Sequence, residues 1–192
     1  MGLMLKELID YVDSMLPAVD ANCSKSAKEA IDQFKKEGHE LNYISSRLLS
    51  SLSQGDFVSN IPFFYYDDKG DLQQYVTEGM IISTSCHIDQ KEYLNIVPVL
   101  PIKFYKKENL YELKSNTIFN YMYIPNTILK DKFVDFTMVN TYNKDLLLEG
   151  IKKGKVNRLC SLNQLGYYLF IIKLTVFLMR KEDPDTMASR DV

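Results

Sequence analysis

The chain has 192 residues, of which 46% are hydrophobic and 25% charged, which is typical of one globular domain with or without an appendage. Its formal net charge of −2 excludes a global positive field for gathering nucleic acid, so RNA contact requires a local basic patch. Three widely spaced cysteines argue against a disulfide scaffold and predict a reducing, cytoplasmic setting.

Residues 1–53 are predicted to form an N-terminal helical region. Apolar residues recur at helical spacing between positions 5 and 16 and again between 41 and 52. Ser26 and Glu29 have the spacing of a capping box, in which each side chain bonds the backbone of the other. The beginning of the chain is acidic and amphipathic, which predicts no secretory signal. Docking of a larger complex by these helices is one function that the pattern leaves open.

At Gln54–Asp56 the apolar period changes from helical spacing to alternation, which predicts strands. The first strand runs from Phe57 to Tyr66, and Asp67–Asp71 is a turn in which Gly70 supplies positive φ. Leu72–Thr77 is the partner strand. Gly79 is predicted to break it, so that Met80–Ser85 begins a separate strand.

The remaining pattern adds strands and two helices. Strands are predicted at Tyr93–Leu100, Thr117–Ile124 and Phe133–Tyr142, and a short helix at Leu146–Lys152. A capping box from Ser161 to Gln164 is predicted to open a final apolar helix that ends near Met179. That helix is too short to span a bilayer and contains Lys173, which predicts a buried core helix and no membrane contact.

These elements predict an α+β protein. A small, strongly bent antiparallel sheet or barrel occupies residues 54–182, with N-terminal helices before it and an apolar C-terminal helix at its end. Residues 183–192 are polar and are predicted to be a disordered tail. The sequence lacks a GxGxxG or Walker A loop, and its two histidines, His39 and His87, lie far apart without a CxxC pair. We therefore expect no cofactor and no metal.

Several motifs resemble those of the PemK/MazF-like toxins. The similar segments are Gln54–Asp56, Gly79–Ser83, Ile96–Ile102, the Ser-Cys-His-Ile-Asp run at 85–89 and the C-terminal segment 158–180. The resemblance implies an SH3-like β-barrel that dimerises and, in active members, cleaves single-stranded RNA without a metal. It also implies a toxin–antitoxin or phage-defence setting.

The chain lacks that family's residues at two positions that active members need for RNA cleavage. Active members carry an arginine just before the first Ser-ended strand, whereas Gln73–Glu78 contains none. They also carry Thr or Ser after the Pro-Ile pair, where this chain has Lys103. The leading prediction is therefore a binding module that contacts a protein partner or RNA. The alternative is an RNA endonuclease that uses other residues.

Cys86, His87 and Asp89 are the sharpest candidate catalytic cluster. A thiolate nucleophile needs a base within hydrogen-bond reach and a group that orients the base. Adjacent residues of a strand point to opposite faces, so the three side chains could meet only in a bend. The alternative is a structural role without catalysis, in which Cys86 is a small buried side chain and Asp89 stabilises a loop.

Two basic stretches are candidate RNA-binding patches, because lysine and arginine neutralise phosphates and neighbouring rings stack on bases. The first comprises Lys103, Lys106 and Lys107, interleaved with Phe104 and Tyr105. The second comprises Lys152, Lys153, Lys155 and Arg158. Basic stretches of this kind are more often simply a solvated face. Thirteen tyrosines and ten phenylalanines, including the run Phe63–Tyr66, suit either a protein interface or an aromatic core.

Overall fold

The computed structural model describes residues 42–105, 109–125, 128–179 and 184–190. Its strands are β1 (Asp56–Tyr66), β2 (Leu72–Ile81), β3 (Tyr93–Pro101), β4 (Tyr121–Ile124), β5 (Lys132–Asp135), β6 (Asn140–Asn143) and β7 (Arg158–Ser161). Its helices are α1 (Ser85–Gln90), α2 (Leu110–Lys114), α3 (Lys144–Lys152), α4 (Gln164–Met179) and α5 (Pro184–Ala188), with a 3-10 turn at Ile102–Phe104. The seven strands of this part of the chain form one antiparallel sheet in the order β4-β5-β3-β2-β1-β7, with β6 also paired to β3. The predicted α+β class with an antiparallel sheet is confirmed.

The sheet is covered on both faces, because successive residues of its strands enter different apolar clusters. Phe57 and Met80 pack on one side with Phe170 of α4. Their neighbours Val58 and Ile81 pack on the other side, together with Ile88 of α1 and Leu147 of α3. This period of two places α4 against one face and the two shorter helices against the other.

The β1–β2 hairpin has the predicted turn, but its second strand is longer than predicted. The Asp67 carboxylate accepts hydrogen bonds from the backbone N–H groups of Lys69 and Asp71, and Gly70 has a φ of +83°. The predicted break at Gly79 is wrong, since β2 continues through it and pairs Gly79 with Pro98 of β3. A Cβ at Gly79 would lie 2.5 Å from Cγ2 of Ile96, so this glycine permits close strand approach.

Replacement of Gly79 by alanine is therefore expected to lower the free energy of unfolding by about 1–3 kcal/mol, because the added methyl group overpacks the core at Ile96. Chemical denaturation measures this change. The matched control is the double variant Gly79→Ala/Ile96→Ala, in which the clash is relieved. Its loss of stability should be smaller than the sum of the two single losses, and a strictly additive result would contradict the packing argument.

The described residues that precede β1 are irregular, with one bridge residue, and are not helical. Tyr43 is fully buried, its carbonyl oxygen accepts from the backbone N–H of Asn163, and Ile44 forms a bridge with Leu162. Ser45 N–H donates to the Ser161 carbonyl oxygen. The helix predicted to reach residue 53 is wrong over 42–53, because this backbone pairs with the segment joining β7 to α4. The predicted helices within residues 1–41 lie outside the described residues.

Four further features differ from the sequence prediction. α4 is capped by Asn163, whose Oδ1 accepts from the Gly166 N–H at 2.8 Å, while Ser161 donates its hydroxyl proton to Asp56. The strand predicted over Phe133–Tyr142 is divided into β5 and β6, because Asp135 accepts from both the backbone and the hydroxyl of Thr137 and turns the chain. The strand predicted over Thr117–Ile124 begins only at Tyr121. α5 occupies part of the segment predicted to be disordered.

Candidate functional site

The candidate catalytic residues Cys86, His87 and Asp89 lie on α1, which replaces both the predicted loop and the end of the strand predicted at Met80–Ser85. Thr84 caps this helix by accepting from the His87 N–H at 3.3 Å. Lys144 binds its other end, with Nζ 2.9 Å from the Ile88 carbonyl oxygen.

All three side chains of this cluster are exposed, so the expectation of a buried Cys86 is wrong. Cys86 and His87 are successive residues of a helix, and side chains at that spacing do not face each other. A nucleophile–base pair needs hydrogen-bond contact, and this helix does not provide it between these neighbours. The one buried side chain of α1, Ile88, anchors the helix to the sheet.

Arg158 is partly buried and is held in an ion pair. Its Nη2 lies 2.7 Å from Oδ2 of Asp56, which is fully buried, and also donates to the carbonyl oxygens of Leu49 and Ser51 at 3.0 and 2.9 Å. The other carboxylate oxygen of Asp56 accepts from the Ser161 hydroxyl at 2.6 Å. The ion pair therefore fastens the irregular segment before β1 to β1 and β7. No local sequence signal indicates this role, because Arg158 and Asp56 are 102 positions apart.

The remaining candidate RNA-binding residues are only partly described. Lys103 is exposed, with its Nζ 5.2 Å from the centroid of the Phe104 ring, so the two side chains form a cation–π pair at the surface. Lys155 is also exposed, and its carbonyl oxygen accepts from the Asn60 side chain. Lys103 follows β3 and Lys155 lies beside β1, with β2 between these strands in the sheet. Lys106 and Lys107 lie outside the described residues.

The half of the β1–β2 hairpin next to its turn carries several exposed apolar and aromatic side chains. Cross-strand pairs share a face, and the pairs Phe64–Gln74 and Tyr66–Leu72 lie on the same side as Val76. We call the side chains of Phe64, Tyr66, Leu72 and Val76 the outer face. These side chains are between 43% and 73% exposed, and none is charged. On the opposite side of the hairpin, Phe63 is buried, with its ring 5.7 Å from that of Tyr75 and 6.1 Å from that of Tyr142, while Tyr65 is 42% exposed.

A lysine amine is buried in the core. Lys173 of α4 is fully buried, and its Nζ donates to the carbonyl oxygens of Ile118 and Tyr121 at 2.7 and 2.8 Å. Burial lowers the pKa of Lys173 to about 7. A neutral amine carries two N–H protons, and these two hydrogen bonds use both of them. The amine thus ties α4 to the segment that leads into β4.

Comparisons with known proteins do not place the chain in a family. A scan against family models, a search of curated proteins and a search of solved structures each find no match. Among the residues that the structure describes, no group of three His, Cys, Asp or Glu side chains is placed to hold a metal ion. No described helix is long and apolar enough to span a bilayer.

Proposed function

We propose that this chain is a non-catalytic binding module that contacts a protein partner through the outer face of its hairpin. The observation that carries the proposal is the exposure of Phe64, Tyr66, Leu72 and Val76 together on one face without a charge among them. Contiguous apolar patches of this kind on a folded surface mark interaction sites. The tyrosine adds a large ring that buries area at low entropic cost, as interface tyrosines do.

The charges beside the outer face indicate the chemistry of the partner. The hairpin turn carries Asp67, Asp68 and Asp71 against the one cation of Lys69. The pKa of Asp67 is lowered, chiefly because the Asp71 N–H donates to its carboxylate, so this group keeps its negative charge. The complementary surface is therefore an apolar patch with basic residues at its rim.

We also propose that the sheet closes into an SH3-like barrel of the PemK/MazF type. This barrel would act as the binding module in a toxin–antitoxin or phage-defence setting. Side chains of β6 reach β1 across the gap between these strands. Asn140 bonds both backbone groups of Phe64 at 2.8 and 3.3 Å, and the Tyr142 hydroxyl donates to the Pro62 carbonyl oxygen at 2.8 Å. These contacts support closure between the first strand and the sixth.

The test is direct binding of a purified partner, identified by co-purification and then measured by titration calorimetry. The double variant Tyr66→Ser/Val76→Ser removes two strongly exposed side chains, so the fold should be unaffected while binding weakens by at least about 10-fold. The matched control, Leu146→Ser/Leu148→Ser, removes two exposed apolar side chains of α3 and should bind like the parent chain. Equal binding by both variants, or stable binding of RNA alone that depends on Lys103, contradicts the proposal.

A further inference from the structure

Helix α4 is predominantly apolar on every side, and one stripe of it faces the described sheet. Gly166, Phe170 and Lys173 are buried along this stripe, and the Phe170 ring lies 6.1 Å from that of Phe136. Within this helix Lys173 is the only charged residue. A helix that is hydrophobic all round is ordinarily covered on all sides. The side of α4 that points away from the sheet, which we call the distal side, is therefore expected to have a cover of its own.

The burial of Ile172 indicates that the distal side is covered. Successive residues of an α-helix turn by about 100°, so Ile172 projects about 160° away from Phe170. Ile172 is nevertheless only 4% exposed. Every other buried apolar side chain of the described residues belongs to one of three clusters, and Ile172 belongs to none of them. Its cover therefore lies outside the described core.

The segment before Asn42 has the length and the attachment point to supply this cover. Residues 1–41 lie outside the described residues, and the other undescribed stretches are at most four residues long. The Asn42 carbonyl oxygen accepts from the Asn163 side chain at 2.6 Å, so the chain enters beside the beginning of α4. Ile172 lies about 14 Å further along this helix. The eight residues from Phe34 to Asn42 span about 12 Å even as a helix, so Phe34 can lie level with Ile172.

The sequence of residues 26–37 suits a cover with one apolar side. The predicted capping box at Ser26 is followed by apolar residues at helical spacing. These residues are Ala27, Ala30, Ile31 and Phe34. The other positions from 28 to 37 are all polar or charged. Such a narrow apolar stripe fits a helix that packs on the outside of a folded core, because its remaining surface stays solvated.

We propose that residues 26–37 form a helix that packs along the distal side of α4, with Ile31 and Phe34 against Ile172. The segment is then part of the folded domain. Its apolar stripe is used within the chain and is not free to dock a larger complex, which is a role that the sequence pattern leaves open. A partner that bound this stripe would have to displace it from α4. This inference is independent of the partner proposed for the outer face.

Thiol labelling of the full chain tests the cover at Ile172 directly. In a Cys23→Ser/Cys86→Ser background, Ile172→Cys places a thiol on the distal side, while the remaining Cys160 is buried. The new thiol should react slowly with a maleimide, since a covered thiol reacts only when its surroundings open. Rapid labelling of this variant, with its fold verified by circular dichroism, overturns the proposal.

Replacements in the covering segment identify what protects the thiol. Adding Ile31→Ser/Phe34→Ser should raise the labelling rate at least about 10-fold, because the helix leaves α4 more often. The matched control Asp32→Ser/Lys36→Ser alters the polar side of the same segment, keeps the net charge and should leave the rate unchanged. Equal rates for the two variants overturn the proposal.

Other covers of the distal side would give different results. Acceleration by Ile9→Ser/Val12→Ser alone would assign the cover to the earlier predicted helix, and labelling that slows as protein concentration rises would assign it to a second copy. Either result overturns the proposal. Urea denaturation gives a test without the new thiol. Phe34→Ala should raise the unfolding equilibrium constant at least about 10-fold, and Lys36→Ala by no more than about 2-fold. Equal stability of these two variants contradicts the packing of Phe34.

Discussion

Replacement of Arg158 by methionine is expected to lower the free energy of unfolding by about 3–5 kcal/mol, the usual cost of removing one partner of a buried ion pair. Asp56 is fully buried, and without Arg158 its carboxylate keeps only neutral donors. The carbonyl oxygens of Leu49 and Ser51 also lose their shared donor. Urea denaturation followed by circular dichroism measures the loss.

The same experiment separates the structural role of Arg158 from the RNA contact considered for it. Lys155→Ala removes an exposed cation of the same basic stretch and should change stability by no more than about 0.5 kcal/mol. The double variant Asp56→Asn/Arg158→Met no longer buries an unpaired charge and should recover part of the loss. If Arg158→Met is as stable as the parent chain, the ion pair does not hold the segment before β1.

Lys173 is expected to make stability rise with pH between about 7 and 9. The pKa of this amine is about 7 in the folded chain and 10.5 as its ordinary value, so over this range the unfolded state binds more protons. Stability rises with pH wherever that is so, and the two values imply a gain of about 2 kcal/mol over this interval. Lys173→Met should remove the rise, although it also removes the donor to Ile118 and Tyr121.

Above pH 9 other groups act in the opposite direction. Burial raises the pKa of Cys160 to about 12 and also raises that of Tyr43 and Tyr142. These groups stay protonated in the folded chain while they ionise in the unfolded one, so stability falls as pH rises further. Urea titrations of the parent chain and of Lys173→Met at pH 7, 8 and 9 give the difference. Parallel curves for the two proteins would show that the buried amine does not titrate in this window.

The hairpin could be predicted from the sequence because its signals are local. The change of period at Gln54–Asp56 and the side chain of Asp67 in its own turn act over a few residues. The role of Gly79 could not be predicted in this way, since a glycine that permits close approach to Ile96 has the same local pattern as one that breaks a strand. The helix α1 was missed because its six residues are too few to show a period.

The candidate site was predictable only in part. The aromatic run Phe63–Tyr66 was identified as either interface or core, and the structure divides it: Phe63 is buried, while Phe64 and Tyr66 lie on the outer face. Both faces of the strand are apolar, so alternation alone does not tell which one is covered. The pairing of Arg158 with Asp56 depends on the folded sheet, so no local sequence pattern indicates it.

Hydrogen–deuterium exchange on the complex with the purified partner tests most directly whether the hairpin is the contact surface. We expect the backbone amides of residues 62–76 to exchange more slowly in the complex than in the free chain at the same concentration. Exchange in α1 and at Ile102–Tyr105 should be unchanged. Protection centred on α1 or around Lys103, with the hairpin unaffected, would contradict the account.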